Sequence, residues 1–167
     1  MRGRKSPSVV SAAAANSRGA QTRKSRSQGV VVDTALLLQA LLHNGSEAAL
    51  LRQAWHDGRI RLMVCAETAQ LLMLSLAAPA LKLKPAQQQE LLADVLPYAQ
   101  ACKPLQQRAS ARLPLGPLLA LSLAQAAGAA LLLSESGALR KHVDRQASRY
   151  PGLRVLGLRE WVDAHSR

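Results

Sequence analysis

From residue 29 onward the chain alternates between short runs that are apolar at every position and longer stretches with apolar residues at helical spacing. Val30–Val32 is continuous and β-branched, the pattern of a strand covered on both faces. It ends in Asp33-Thr34, and Ala35–Leu42 continues as a helix. Ser46 and Glu47 open a second helix to about Trp55, closed by Asp57-Gly58. Ile60–Cys65 reads as a second strand and Glu67–Leu76 as a helix, with Pro79 beyond its end. Pro85, at a first-turn position, starts a helix reaching roughly Leu96. Pro117–Ala127 is a helix stopped by Gly128, and Ala130–Leu133 a further strand. Ala138–Ser148 is a polar-faced helix, Leu153–Leu156 a last strand, and Leu158–Ala164 a closing helix. Strands alternating with helices through short loops predict an α/β fold with a parallel sheet flanked by helices.

Leu113–Ser134 carries no charge over 22 residues, long enough to span a bilayer. Pro114, Gly116, Pro117, Gln125 and Gly128 divide it into loop, helix, turn and strand, so no membrane span is expected.

The first 28 residues follow another pattern. They contain Arg2, Arg4, Lys5, Arg18, Arg23, Lys24 and Arg26, no acid and no Leu. A segment so poor in apolar bulk does not offset its ordering entropy, and residues 1–28 read as a disordered basic tail ahead of a domain over 29–167. The composition also resembles a transit peptide. The Ala, Leu and Arg usage of the whole chain instead suggests a GC-rich bacterial gene and a cytoplasmic protein. Net charge is +12, and seven of the 22 basic residues lie in this tail while all 10 acids lie beyond it. RNA binding is therefore expected to be electrostatic, non-specific and carried mainly by the tail; a solubilising role fits the composition equally.

Composition limits the rest. The hydrophobic fraction is 49%, but aromatics make up 2% with no Phe, so the core must be built from Leu, Ala and Val. Cys65 and Cys102 form no CxxC pair and read as two reduced, buried thiols. His43, His56, His142 and His165 lack zinc-type spacing.

Ligands of an open α/β sheet sit beyond the carboxyl ends of its strands, which singles out Asp33; an Asp in that place is also a common helix N-cap. GlyValValValAspThrAlaLeuLeu (29–37) resembles the opening strand of PIN domains, whose Asp supplies the first metal-binding acid. Ala48–Cys65 follows in the expected order. ProAlaLeuLysLeuLysPro (79–85), AlaGlnAlaAlaGlyAlaAlaLeuLeuLeuSerGlu (124–135) and ArgGluTrpValAsp (159–163) resemble later segments of the branch described as toxins of toxin–antitoxin pairs. The resemblance spans 29–165 and implies a PIN-like three-layer fold, an antitoxin-like protein partner and Mg²⁺- or Mn²⁺-dependent RNA cleavage; a homo-oligomer is also compatible with it.

That chemistry needs several carboxylates converging on a hard cation that activates water and neutralises phosphate charge. Of the family's acids only the first is matched, by Asp33. The Asn two residues later is Ala35, the second acid falls at Gln70, the third within LeuProLeuGly (113–116) and the fourth at Ser136. The expectation is a degenerate metal site. The alternative is a relocated one built from Asp33, Glu67 (on the same helix as Gln70) and Glu135 (one residue before Ser136), with Mg²⁺ or Mn²⁺ as cofactor. Without a metal, Glu67 is a first-turn residue favoured by the helix dipole and Glu135 a solvated loop residue.

Overall fold

The computed structural model describes residues 27–166. Five strands form one all-parallel sheet: β1 (Gln28–Val32), β2 (Ile60–Val64), β3 (Ala99–Ala101), β4 (Leu131–Leu133) and β5 (Arg154–Leu156), in the spatial order β3-β2-β1-β4-β5. Among the described residues seven α-helices cover it: α1 (Thr34–Leu42), α2 (Ser46–His56), α3 (Ala66–Leu76), α4 (Pro85–Ala93), α5 (Leu115–Ala127), α6 (Gly137–Arg145) and α7 (Leu158–His165). The predicted α/β, three-layer parallel architecture is the one observed, with β1 at its centre.

Alternation along β1 and β4 divides the core in two. Val30, Val32, Leu131 and Leu133 face a layer built from α1, α2, α3 and α7, with Leu36, Leu51, Trp55, Leu72 and Trp161 buried there. Val31 and Leu132 face the opposite layer, made by α5 and α6 with Leu121, Leu123, Leu139 and Tyr150. Both tryptophans serve the first layer. Trp55 is 1% exposed, and its indole N–H donates to the Asp94 carbonyl at 3.0 Å, joining α2 to the chain beyond α4.

The structure corrects several boundaries. β3 was not expected from sequence: Ala99-Gln100-Ala101 has no apolar run, and its strand form comes from pairing with Leu62–Val64 at the sheet edge. The helix expected to reach Leu96 stops at Ala93, because Pro97 follows and residues 96–98 form a 3-10 turn. The helix expected to reach Ser148 stops at Arg145. β2 gives up Cys65, which becomes the residue entering α3. The uncharged run does divide as expected: α5 ends at Gly128, in the left-handed conformation that glycine accommodates, and β4 follows. Among the described residues no helix is long and apolar enough to cross a membrane. Of the expected disordered segment, the Ser27 carbonyl accepts from Arg61 and Gln28 pairs with Ile60; residues 1–26 lie outside the described residues.

Among the described residues Trp55 is the largest fully buried side chain, in a core made mostly of Leu, Val and Ala. Trp55→Ala is expected to cost about 3–5 kcal/mol. Urea unfolding checks this; a loss below ~1 kcal/mol would show that the first layer repacks around the gap.

Candidate functional site

The carboxyl edge of the sheet gathers the positions singled out by sequence. β1 and β4 run in register, Val32 opposite Leu133, so the first polar residue after each run meets its counterpart: Asp33 and Ser134. The Asp33 amide donates to the Leu133 carbonyl at 2.9 Å and the Ser134 amide to the Leu156 carbonyl at 3.0 Å. The Ser134 hydroxyl donates to Asp33 Oδ2 at 2.8 Å and accepts from the Ser136 amide at 3.1 Å.

Asp33 is 3% exposed. Its backbone occupies the N-cap position of α1, but its side chain makes no capping hydrogen bond, and Oδ1 is buried without a partner. Burial raises the carboxyl above its ordinary value; the Ser134 hydroxyl and the nearby amides of Ala35 and Thr34 pull in the opposite direction without winning. The loop over the site is the one in which the family's third acid falls. A Cβ on Gly116 would stand 3.1 Å from Asp33 Oδ1, so the backbone of the first turn of α5 closes over the carboxylate.

The other two acids are engaged elsewhere. Glu67 Oε1 accepts from the Leu105 amide at 2.9 Å, pinning the loop between β3 and α5 onto the first turn of α3. Its own amide, then the Cys65 thiol, the Leu105 amide and the Arg108 charge, hold its carboxyl below the ordinary value. Its second oxygen, like Asp33 Oδ1, is buried without a partner. Glu135 Oε1 accepts from the Leu158 amide at 2.7 Å, at the N-terminus of α7, and its carboxylate lies against Gly157. That arrangement satisfies an orphan helix N–H and favours the helix dipole. Gln70 is exposed on α3, one turn beyond Glu67. Ser136, at the fourth acid position, accepts from the Leu139 amide at 3.2 Å and caps α6.

Among the described residues no three His, Cys, Asp or Glu side chains are grouped so that they could hold a metal ion, so Asp33, Glu67 and Glu135 are not brought together as a set. The residues present do not fit a hard dication. One occluded aspartate with a raised pKa stands in place of converging charged oxygens, and the other two carboxylates hold backbone amides. Sequence reasoning missed Ser134. The parallel between ValValValAsp and LeuLeuLeuSer, two apolar strands each ended by one small polar residue, was the signal that could have found it.

No family model matches the chain, and no curated protein matches it in sequence. Its fold is similar to that of VapBC2 from Rickettsia felis, seen in a crystal structure bound to a DNA fragment from their promoter. The TM-score is 0.53 at 13% identity, over 78% of this chain and 98% of that one. At that identity the likeness concerns the fold alone. The fold is PIN-like, as the sequence resemblance implied.

With the native pKa of Asp33 raised above its unfolded value, the folded state binds the extra proton, and stability falls as pH rises between the two values. Asp33→Asn is therefore expected to raise the melting temperature at pH 7.5, the gain shrinking toward pH 4. A lower melting temperature at both pH values would show that the charge itself holds the edge together. Ser134→Ala, which leaves Asp33 with no side-chain hydrogen bond, is expected to cost about 1.5–3 kcal/mol by chemical denaturation at neutral pH. Ser136→Ala should cost ~0.5–2 kcal/mol as a lost cap while Ser136→Asp stays near wild type; equal losses would remove the capping role.

Proposed function

We propose that this is a PIN-like protein of the toxin–antitoxin type whose metal-dependent ribonuclease chemistry is impaired or absent, and that it acts by binding RNA or an antitoxin-like partner. One observation carries the reading: the single matched acid, Asp33, is buried under Gly116 and hydrogen-bonded to Ser134, without a second carboxylate joining it in a metal-ligand cluster. A hard cation held by a protein takes several oxygen ligands, and one occluded carboxyl does not supply them. The kind of partner is taken from the resemblance and from the neighbour of like fold, a VapBC2 assembly bound to promoter DNA. The alternative, an Mg²⁺- or Mn²⁺-dependent endoribonuclease using Asp33, Glu67 and Glu135, has in its favour the unpartnered oxygens on Asp33 and Glu67. It requires three carboxylates that are not grouped in the fold to converge, two of which already hold backbone amides.

The test is cleavage of labelled single-stranded RNA by the full chain with Mg²⁺ or Mn²⁺. Wild type is expected to show none above buffer, and Asp33→Asn to be indistinguishable from it. Robust cleavage abolished by Asp33→Asn would overturn the reading in favour of the enzyme.

A further inference from the structure

Charge is distributed very unevenly over the folded part of the chain. Between residues 33 and 98 six acids face five bases; between 99 and 154 eight bases face only Glu135 and Asp144. Six of these eight bases line two wells on the side of the sheet covered by α5 and α6. One cleft of about 900 Å³ lies between the end of β3, the following loop and α5, with Lys103, Arg108 and Arg149 on its walls beside Gln100, Gln107 and Gln125. The other, about 380 Å³, lies between Arg112 and the flank of α6 that carries Lys141, His142 and Arg145. Neither lining contains a carboxylate.

The wells adjoin. His142 of the smaller is hydrogen-bonded to Tyr150 of the larger at 3.2 Å, and Arg149 of the larger donates to Gln146 of the smaller at 3.1 Å. The loop through Arg108, Ala109, Arg112 and Leu113 borders both. It is anchored by Ala109, whose amide donates to the buried Ser122 hydroxyl at 2.7 Å, and by Leu105, whose amide donates to Glu67. The arginine on the opposite flank of α6, Arg140, is taken up by Glu160 at 2.7 Å, whereas among the described residues Lys103, Arg108, Arg112, Lys141, Arg145 and Arg149 form no ion pair.

We propose that these two wells form one track for the sugar–phosphate backbone of a single-stranded nucleic acid, separate from Asp33. Repeated cations without an intervening acid match the repeated charges of a polynucleotide. Concave wells with amide side chains between the cations suit a flexible strand that dips into them, not the convex surface of a duplex. Stacking contributes little: Tyr150, the aromatic residue of the track, is buried and tied to His142. The track rests on the RNA-binding part of the proposed function. It also shifts to the folded domain part of the binding that composition assigned to the tail, since the domain's small net charge conceals its segregation.

The experiment uses the full chain and a labelled single-stranded RNA in a salt titration. Changing Arg108, Lys141, Arg145 and Arg149 together to Gln should reduce the slope of log K against log salt by about 3, at ~0.7 per cation. The charge-matched control, Arg52, Arg59, Lys82 and Lys84 to Gln, should change it by less than about 1. Protection from acetylation in the wild-type protein gives a second measure that needs no variant: RNA should shield Lys103 and Lys141 but not Lys82 or Lys84. Equal slope changes in the two variants, or equal protection of all four lysines, would overturn the track and leave RNA binding as a general charge effect. Duplex DNA or polyglutamate competing as well as single-stranded RNA would overturn its specificity for a single strand. Absence of any RNA binding at low salt would remove the RNA-binding reading itself, and the track with it.

Discussion

A strand in the middle of a parallel sheet has no free side. β1 hydrogen-bonds to β2 on one edge and to β4 on the other, and its two faces are covered by separate helical layers. Everything at the carboxyl edge follows from that enclosure. The chain stays apolar through Val32, and its first polar side chain emerges where neighbouring strands also end, under the start of α5. In a fold of this kind the same enclosure makes the position valuable for ligand binding, because low polarity strengthens the attraction between a charge placed there and an opposite one. Here it works against the charge: Asp33 has a serine for company, and burial moves the carboxyl toward its neutral form.

The positions that would complete a metal centre have taken up ordinary structural duties. Ser136 caps a helix, Gly116 lets the first turn of α5 lie close over Asp33, and Gln70 faces solvent. The glutamates near two of these positions are likewise employed in holding amides, Glu67 for the loop after β3 and Glu135 for the last helix. Turning either glutamate toward a cation through the oxygen it already uses would cost the Leu105 or the Leu158 amide its acceptor.

Much of the fold was legible in the sequence, for identifiable reasons. ValValVal and LeuLeuLeu are strands because apolar runs that short, bounded by Gly and polar residues, bury on two faces; α5 was legible because Gly128 stops it. β3 was not, since Ala-Gln-Ala becomes a strand only by adhering to β2. Of the site, the place of Asp33 and of the 113–116 loop could be read from order along the chain. The destinations of Glu67 and Glu135 could not: their partners, Leu105 and Leu158, lie 38 and 23 residues away, and spacing says nothing about contacts across such distances. Cys102, read as a buried thiol, is half-buried on the wall of the larger cleft. The segregation of charge was hidden similarly, because a sum over the domain averages two unlike halves.

The division of the core has a spectroscopic consequence. With no Phe in the chain and both tryptophans in the layer formed by α1, α2, α3 and α7, indole emission reports on that side of the sheet. The layer formed by α5 and α6 contains Tyr150 as its buried aromatic, a far weaker emitter, and one hydrogen-bonded to a histidine. Loosening confined to the α5–α6 side would leave the tryptophan signal intact, so emission and backbone circular dichroism followed together would separate the two halves of the molecule.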